Sequence, residues 1–185
     1  MCIRRAPGRH SMTGEQGLLI INANMFKKLD KTKYLPGDKP LMAWDGDCGF
    51  CHYWVIKWMK LTGKKVEYKP FQEAYKDFPD IELKYFKQAI RFIDVDGKIY
   101  TGPAAVFQAL HKYGRKWRWV MPIYRNFWPF RFASDHHYAF VSRNRTRMYG
   151  ITVRLFGKNP ARPKYYWAVY AGSLIATGLI LLIVF

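Results

Sequence analysis

The stretch 44-WDGDCGFC-51 places two of the chain's three cysteines, Cys48 and Cys51, in a C-x-x-C pattern. The preceding run 41-LMAW-44 is apolar and short, as expected of a buried strand, and apolar residues recur at helical spacing from Cys51 onward. The cysteines therefore stand where a strand passes into a helix. Three roles are open to such a pair, namely thiol–disulfide exchange, metal binding and a structural disulfide.

The pattern of apolar runs and turn residues predicts an α/β fold with the order β-α-β-α-β-β-α. The predicted elements are a strand at 41–44, a helix from 49 to a stop at Gly63, a strand at 66–69, an interrupted helix at 73–88, strands at 90–95 and 98–100 around Asp96-Gly97, and a helix at 104–113. A parallel β-α-β unit followed by a hairpin and a packing helix is the minimal thioredoxin-like layout.

We divide the chain of 185 residues into four parts. Residues 1–37 form an N-terminal extension, and residues 38–113 the thioredoxin-like domain. Residues 114–164 form a basic, aromatic, helical juxtamembrane segment, and residues 165–185 one C-terminal transmembrane helix. The sequence leaves open whether synthesis starts at Met1 or Met12.

The C-terminal run 165-YYWAVYAGSLIATGLILLIVF-185 contains no charged residue. It is long enough to cross a hydrocarbon core of about 30 Å as a helix. Tyr and Trp residues cluster where it begins, as at a membrane interface, and basic residues without any acid precede it. Because 18-LLII-21 is too short for a secretory signal, we expect a single-pass protein. Its thioredoxin-like domain is expected on the cytoplasmic side of the membrane.

The net charge of +18 is concentrated toward the C-terminus, where Asp135 is the single acid between Lys112 and Lys164. Aromatic and basic residues alternate in 116-KWRWVMPIYRNFWPFRF-132. This segment suits either the headgroup layer of a bilayer or an ordinary helix and loop packed on the sheet. Beside an apolar tail, such charge favours the lipid bilayer as a partner over nucleic acid.

Two of the three roles for the cysteine pair are disfavoured by the rest of the sequence. A zinc site normally has four ligands, but the one other cysteine of the chain is Cys2, and the adjacent His136 and His137 lie some 85 residues beyond the pair. A structural disulfide needs an oxidising compartment, which the expected topology does not provide. We therefore expect neither a metal nor a cofactor. A buried, unreactive pair stays open as an alternative to redox exchange.

For redox exchange, the first cysteine of a helix start is the natural nucleophile, because free N–H groups and the helix dipole favour its thiolate. Cys48 would attack and Cys51, one turn later, would resolve the mixed disulfide. Asp45 is a candidate proton acceptor for Cys51, or else a turn residue. Asp47 is a candidate helix cap whose charge would oppose the thiolate, and His52 a candidate modulator of Cys48 or a solvated surface histidine.

The motif W-D-G-D-C-G-F-C resembles the D-x-x-C-x-x-C signature of the DCC-type thiol-disulfide oxidoreductases, a thioredoxin-like family, with Asp45, Cys48 and Cys51 at its three named positions. Further similarity lies in 66-VEYKPFQ-72, 96-DGKIYTGPAAVFQAL-110 and 138-YAFVSRNRTR-147. The resemblance covers about residues 40 to 150. It implies a thioredoxin-like fold, and protein thiols or disulfides as substrates.

The chain departs from the wider thioredoxin pattern, since no proline stands near 87-KQAI-90, where thioredoxins carry a cis-proline.

The motif and the apolar C-terminal run together predict two functions. The first is a membrane-anchored thiol-disulfide oxidoreductase using Cys48 and Cys51. The alternative is an accessory subunit of a larger membrane complex, with integral membrane proteins as partners. The small-residue pair Gly172-x-x-x-Ala176 would allow close helix contact in such a complex.

Overall fold

The computed structural model describes residues 26–162, 164 and 166–172. Its sheet has the strand order β2-β1-β3-β4, in which β1 pairs parallel with β2 and antiparallel with β3, and β3 pairs antiparallel with β4. The strands are β1 Leu41–Trp44, β2 Glu67–Pro70, β3 Arg91–Ile93 and β4 Ile99–Thr101. This mixed α/β arrangement confirms the predicted element order and is consistent with a thioredoxin-like fold.

The connections follow from local chemistry. Parallel β1 and β2 need a crossover, which helix α1 (Gly49–Thr62) supplies; it ends at Gly63, whose φ is 63°. The β3–β4 turn brings Gly97 (φ 79°) so close to the N-terminal extension that a Cβ there would lie 2.7 Å from the carbonyl oxygen of Thr32. The predicted interrupted helix is two short ones, α2 (Phe71–Ala74) and α3 (Leu83–Gln88), separated around Pro79.

Two apolar clusters cover the two faces of the sheet, because side chains alternate along β1. Leu41 and Ala43 face the cluster under α2 and α3, whereas Met42 faces the cluster under helix α4 (Pro103–Tyr113). Met42 and Phe92 are fully buried. The sheet is therefore covered on both faces, and the carboxyl end of β1 is left to form a site.

Three further helices follow, α5 (Val120–Asn126), α6 (Trp128–Arg143) and α7 (Arg145–Phe156). In α5, Val120 and Tyr124 are buried, whereas Phe127 and Trp128 beyond it are more than half exposed. The basic, aromatic segment thus has buried residues, as expected of a helix and loop packed on the sheet. It also has exposed aromatic rings. The boundary at residue 113 stays a prediction.

Residues from the N-terminal extension close the far edge of the sheet. Lys31 bridges Lys98, and the Asp30 carbonyl accepts from the Ile99 N–H at 3.0 Å. Asp135, buried in α6, accepts a hydrogen bond from the Tyr124 hydroxyl at 2.6 Å and pairs with Lys28 at 3.2 Å. The extension is thereby tied to both the sheet and the C-terminal helices.

The predicted transmembrane helix at 165–185 lies largely outside the described residues, which include only its part at 166–172. Within the described part of the chain, no helix combines the length and the apolar character needed to cross a bilayer.

Candidate functional site

The two cysteines lie at the junction of β1 and α1, as predicted. Cys48 is the N-cap residue of α1, in extended conformation (φ −98°, ψ 106°), and its Sγ accepts a hydrogen bond from the Cys51 N–H at 3.3 Å. Both side chains are free thiols and partly accessible. A helix start that uses sulfur as its cap holds negative charge on that sulfur well.

The two thiols differ strongly in acidity. Hydrogen bonds from the Cys51 side chain and backbone, with the positive charge of Arg145, lower the pKa of Cys48 to about 6 despite partial burial. The hydrogen bond to Cys48, burial and the charge of the Cys48 thiolate raise the pKa of Cys51. The arrangement therefore yields one thiolate and one thiol at neutral pH, which is what an attacking and a resolving cysteine require.

Asp45, the first acid after β1, forms an ion pair with Arg145 at the start of α7 (Nη1 to Oδ2, 2.8 Å). Its other oxygen accepts from Gln72 Nε2 at 3.2 Å and from the Asp47 N–H at 3.3 Å. The Asp45 charge raises the pKa of both thiols, and the Arg145 charge lowers them. The ion pair thus sets the charge balance beside the cysteines.

The hypothesis that Asp47 caps the helix is wrong, because Cys48 occupies that position. Asp47 is exposed, and its carboxylate instead accepts from Gln72 Nε2 at 3.0 Å. The same Gln72 side chain accepts from the Gly46 N–H at 3.2 Å. One amide therefore binds three successive residues of the turn between β1 and the cysteines, and it acts on the thiols through that turn.

His52 lies on the exposed side of α1, where its ring stacks on Trp44 with centroids 5.7 Å apart. Its backbone N–H donates to the Cys48 carbonyl at 2.9 Å. No hydrogen bond joins its ring to Cys48 among the described residues. The role of His52 as a modulator of Cys48 stays a prediction.

A cavity of about 50 Å³ opens beside Cys51, large enough for a few water molecules. Asp45, Arg145 and Tyr138 line it together with Ile90, just before β3. The Ile90 N–H donates to the Tyr138 hydroxyl at 3.0 Å, and burial raises the pKa of Tyr138 to about 12. A tyrosine hydroxyl thus satisfies the backbone N–H that stands just before β3. No cis peptide bond occurs in the described residues.

Comparison with known proteins adds one finding to this geometry. The family model for DCC1-like thiol-disulfide oxidoreductases matches residues 42–151, more than half of the chain. The chain belongs to this family. Neither the curated proteins nor the solved structures gave a match. Membership in the DCC1-like family suggests a redox function and fits protein thiols or disulfides as substrates.

The match extends well past the predicted domain end at 113, and it includes the residues that sequence reasoning missed. Arg145 and Tyr138 stand in the segment 138-YAFVSRNRTR-147, and Gln72 ends 66-VEYKPFQ-72. Both segments already carry the resemblance to the DCC1-like family. The resemblance of these two segments to the family, outside the cysteine motif, was the one signal in the sequence that could have identified Arg145, Tyr138 and Gln72.

A wider apolar groove of about 470 Å³ adjoins the site between α1, α4 and α6. Phe50, which stands between the two cysteines, lines both the groove and the cavity. The groove is bordered by rings and aliphatic side chains, including Trp54, Trp58, Phe107, Leu110 and Trp117. A DCC1-like dithiol in this protein thus lies next to a surface suited to an apolar partner.

Proposed function

We propose that the protein is a membrane-anchored thiol-disulfide oxidoreductase in which Cys48 attacks and Cys51 resolves. The observation that carries this proposal is the Cys51 N–H donating to Cys48 Sγ at 3.3 Å, with the pKa of Cys48 lowered to about 6. At neutral pH this favours the thiolate, which is the nucleophile of thiol–disulfide exchange.

In the forward direction, the Cys48 thiolate attacks one sulfur of a substrate disulfide, forming a mixed disulfide and releasing the other sulfur as a thiolate. The Cys48 negative charge then disappears, and with it two causes of the raised pKa of Cys51. Cys51 loses its proton more easily and attacks Cys48. The substrate leaves reduced, and the pair becomes a disulfide.

Asp45 is proposed as the acceptor of the Cys51 proton. Its carboxylate and Cys51 line the same cavity, so a single water molecule would connect them. The ion pair with Arg145, at 2.8 Å, holds this carboxylate at the cavity wall. In the proposal, Asp45 accepts a proton only in the resolving step. Its influence on the attack by Cys48 is electrostatic, because its charge raises the pKa of that thiol.

The membrane anchor is proposed from the uncharged run at 165–185. Tyr166, Trp167 and Tyr170 are exposed at its start, as interfacial anchors are. With basic residues before the run, the cysteines would face the cytoplasm. Alkaline extraction of membranes should leave the full chain in the pellet and release a chain ending at residue 164. Release of both would contradict the anchor.

Trapping of mixed disulfides tests the redox proposal. Cys51→Ser should accumulate disulfide-linked adducts through Cys48 that reducing agent releases. Cys48→Ser and the double variant should accumulate none, because the attacking sulfur is absent. Native Cys48 that resists alkylation at pH 7 would overturn the proposal, since a thiolate in a partly accessible site must react.

A second candidate function is an accessory subunit of a membrane complex, and the apolar groove beside Phe50 favours it. Extraction with mild detergent should then yield a stoichiometric complex. Trp58→Glu would place a charge in the groove and should release the partner, whereas Met59→Glu on the exposed side of α1 should not. Recovery of an isolated monomer under the same conditions would contradict the subunit function.

A further inference from the structure

A second, strongly basic pocket lies away from the cysteines, between the end of α7 and the helical residues 166–172. Its volume is about 600 Å³. Four of its lining side chains are cations, and two are phenol rings. They are Arg154, Lys158, Arg162, Lys164, Tyr166 and Tyr170.

The pocket concentrates positive charge without compensation. No Asp or Glu follows Asp135 in the sequence. Among the described residues, Arg154, Lys158 and Arg162 have no carboxylate partner, and the Lys164 ammonium lies over the Tyr166 ring at 5.8 Å. Several like charges gathered around one concave surface repel one another, so an anion bound there would relieve that cost.

Hydrogen bonds fold the loop that carries these cations, and the folded loop holds the cations around one pocket. The Lys164 N–H donates to the Phe156 carbonyl at 2.8 Å, which closes the loop onto the end of α7. Asn159 holds the middle, with its side-chain oxygen accepting from the Ala161 N–H at 2.9 Å. The Lys60 ammonium bonds the Ala161 carbonyl at 2.5 Å and ties the loop to α1.

We infer that this pocket binds the phosphate of an anionic phospholipid headgroup. Phosphate is the anion that several Arg and Lys side chains recognise best. A headgroup is favoured over a free phosphate compound because Trp167 and Val169, on the adjoining helical residues, are 45% and 69% exposed. The uncharged run then continues to residue 185. The inference rests on the proposed membrane anchor.

Bound lipid would set the position of the dithiol. Helix α7 begins with Arg145 at the cysteine site and carries Arg154 into the pocket. Nine residues of helix separate the two, on the order of 14 Å along the axis. A headgroup held by Arg154 would therefore keep the cysteine site close above the bilayer surface. The substrates that fit are disulfides or thiols of membrane proteins just outside the headgroup layer.

Vesicle binding by the full chain tests this inference. Phosphatidylcholine vesicles are compared with vesicles that also contain phosphatidylglycerol, so that insertion of the apolar run contributes equally to both. The readout is the gain in binding on adding the anionic lipid. The variant Arg154→Gln/Lys158→Gln/Arg162→Gln should lose most of that gain, on the order of a hundredfold, because each of the three charges contributes about fivefold.

The matched control Lys64→Gln/Lys65→Gln/Lys76→Gln removes the same charge from exposed positions elsewhere and should retain most of the gain. An equal loss of the gain in the control would overturn the assignment of the pocket as the binding site, because it would show that net charge alone attracts the protein to the vesicles. If millimolar inorganic phosphate occupied the pocket while anionic lipid gave no gain in vesicle binding, the ligand would be a free phosphate compound. That result would overturn the assignment of a lipid headgroup. So would a pocket-dependent affinity for single-stranded RNA that exceeds that for vesicles.

Alkylation of Cys48 at pH 7 separates this inference from the redox proposal. The pocket variant should keep the wild-type alkylation rate, which also shows that the domain is folded. Unreactive Cys48 with an intact lipid-dependent gain would contradict the redox proposal and leave the headgroup site standing. Reactive Cys48 with no gain from anionic lipid would overturn the headgroup site alone.

Discussion

The cysteine end and the arginine end of the candidate site are built in different ways. Cys48, Cys51 and Asp45 lie within seven consecutive residues, and one helix start orients both thiols. Arg145 comes from 100 residues further along the chain to pair with Asp45. Local backbone geometry thus selects the nucleophile, whereas long-range packing supplies the charge around it. The two ends should respond differently to mutation.

The largest effect is expected at the cysteine end. Cys48→Ser should abolish thiol–disulfide exchange, because no thiolate forms at the helix start. In the reduced wild-type protein, alkylation of Cys48 should be half-maximal near pH 6, since its pKa is lowered to about 6 and the thiolate predominates above it. Peptide mapping by mass spectrometry across pH 4–9 measures this. A midpoint above pH 8 would contradict the assigned roles.

The next largest effect is expected at the cavity wall. Tyr138→Phe removes the hydroxyl that accepts from the Ile90 N–H, leaving a partly buried donor unpaired. We expect the free energy of unfolding to fall by about 1–3 kcal/mol. Urea unfolding followed by circular dichroism gives this value. Tyr149→Phe, at an exposed position of α7, is the matched control and should unfold like the wild type.

Removing the distant charge should have a smaller effect. Arg145→Met takes away the cation and leaves Asp45 unpaired, and both changes favour the neutral thiol. The alkylation midpoint of Cys48 should rise by about 1 pH unit, so that at pH 6 its thiolate fraction drops from about a half to about a tenth. Arg147→Met removes the same charge from an exposed position and should keep the wild-type midpoint. Equal midpoints in all three proteins would show that the cysteine end acts alone.

The smallest effect is expected for His52→Gln. The ring stacks on Trp44, on the exposed side of α1, so its loss should change the alkylation rate of Cys48 by less than about twofold. The rate is measured at pH 6 and pH 8. A tenfold slower rate in the variant at pH 6 alone would show that His52 modulates Cys48.

The sequence predicted the cysteine end well, because that end depends on neighbours in the chain. Strand β1 has the predicted bounds, and α1 ends at the predicted Gly63. Helix α4 likewise begins at Pro103, next to the predicted start. In each case a short-range rule, such as alternation, glycine at a helix end or proline in the first turn, determines the structure.

The arginine end escaped prediction for the opposite reason. Nothing local to Arg145 distinguishes it from Arg143 or Arg147, since all three stand in one basic stretch. Only the packing of α7 on α1, seen in the edge contact of Trp54 with Phe156, brings it to Asp45. The prediction of Asp47 as the helix cap was wrong because Asp is among the preferred N-cap residues, whereas the cap in this protein is the sulfur of the next residue, Cys48.

The 100-residue separation between Asp45 and Arg145 also has a consequence in time. A ribosome adds about 5–20 residues each second, so the cysteines are made roughly 5–20 seconds before the arginine that completes their surroundings. Because the Arg145 charge lowers the pKa of Cys48, the Cys48 thiol of a nascent chain that lacks α7 should be less acidic than that of the folded protein. Its acidity is complete only once α7 has been made and has docked.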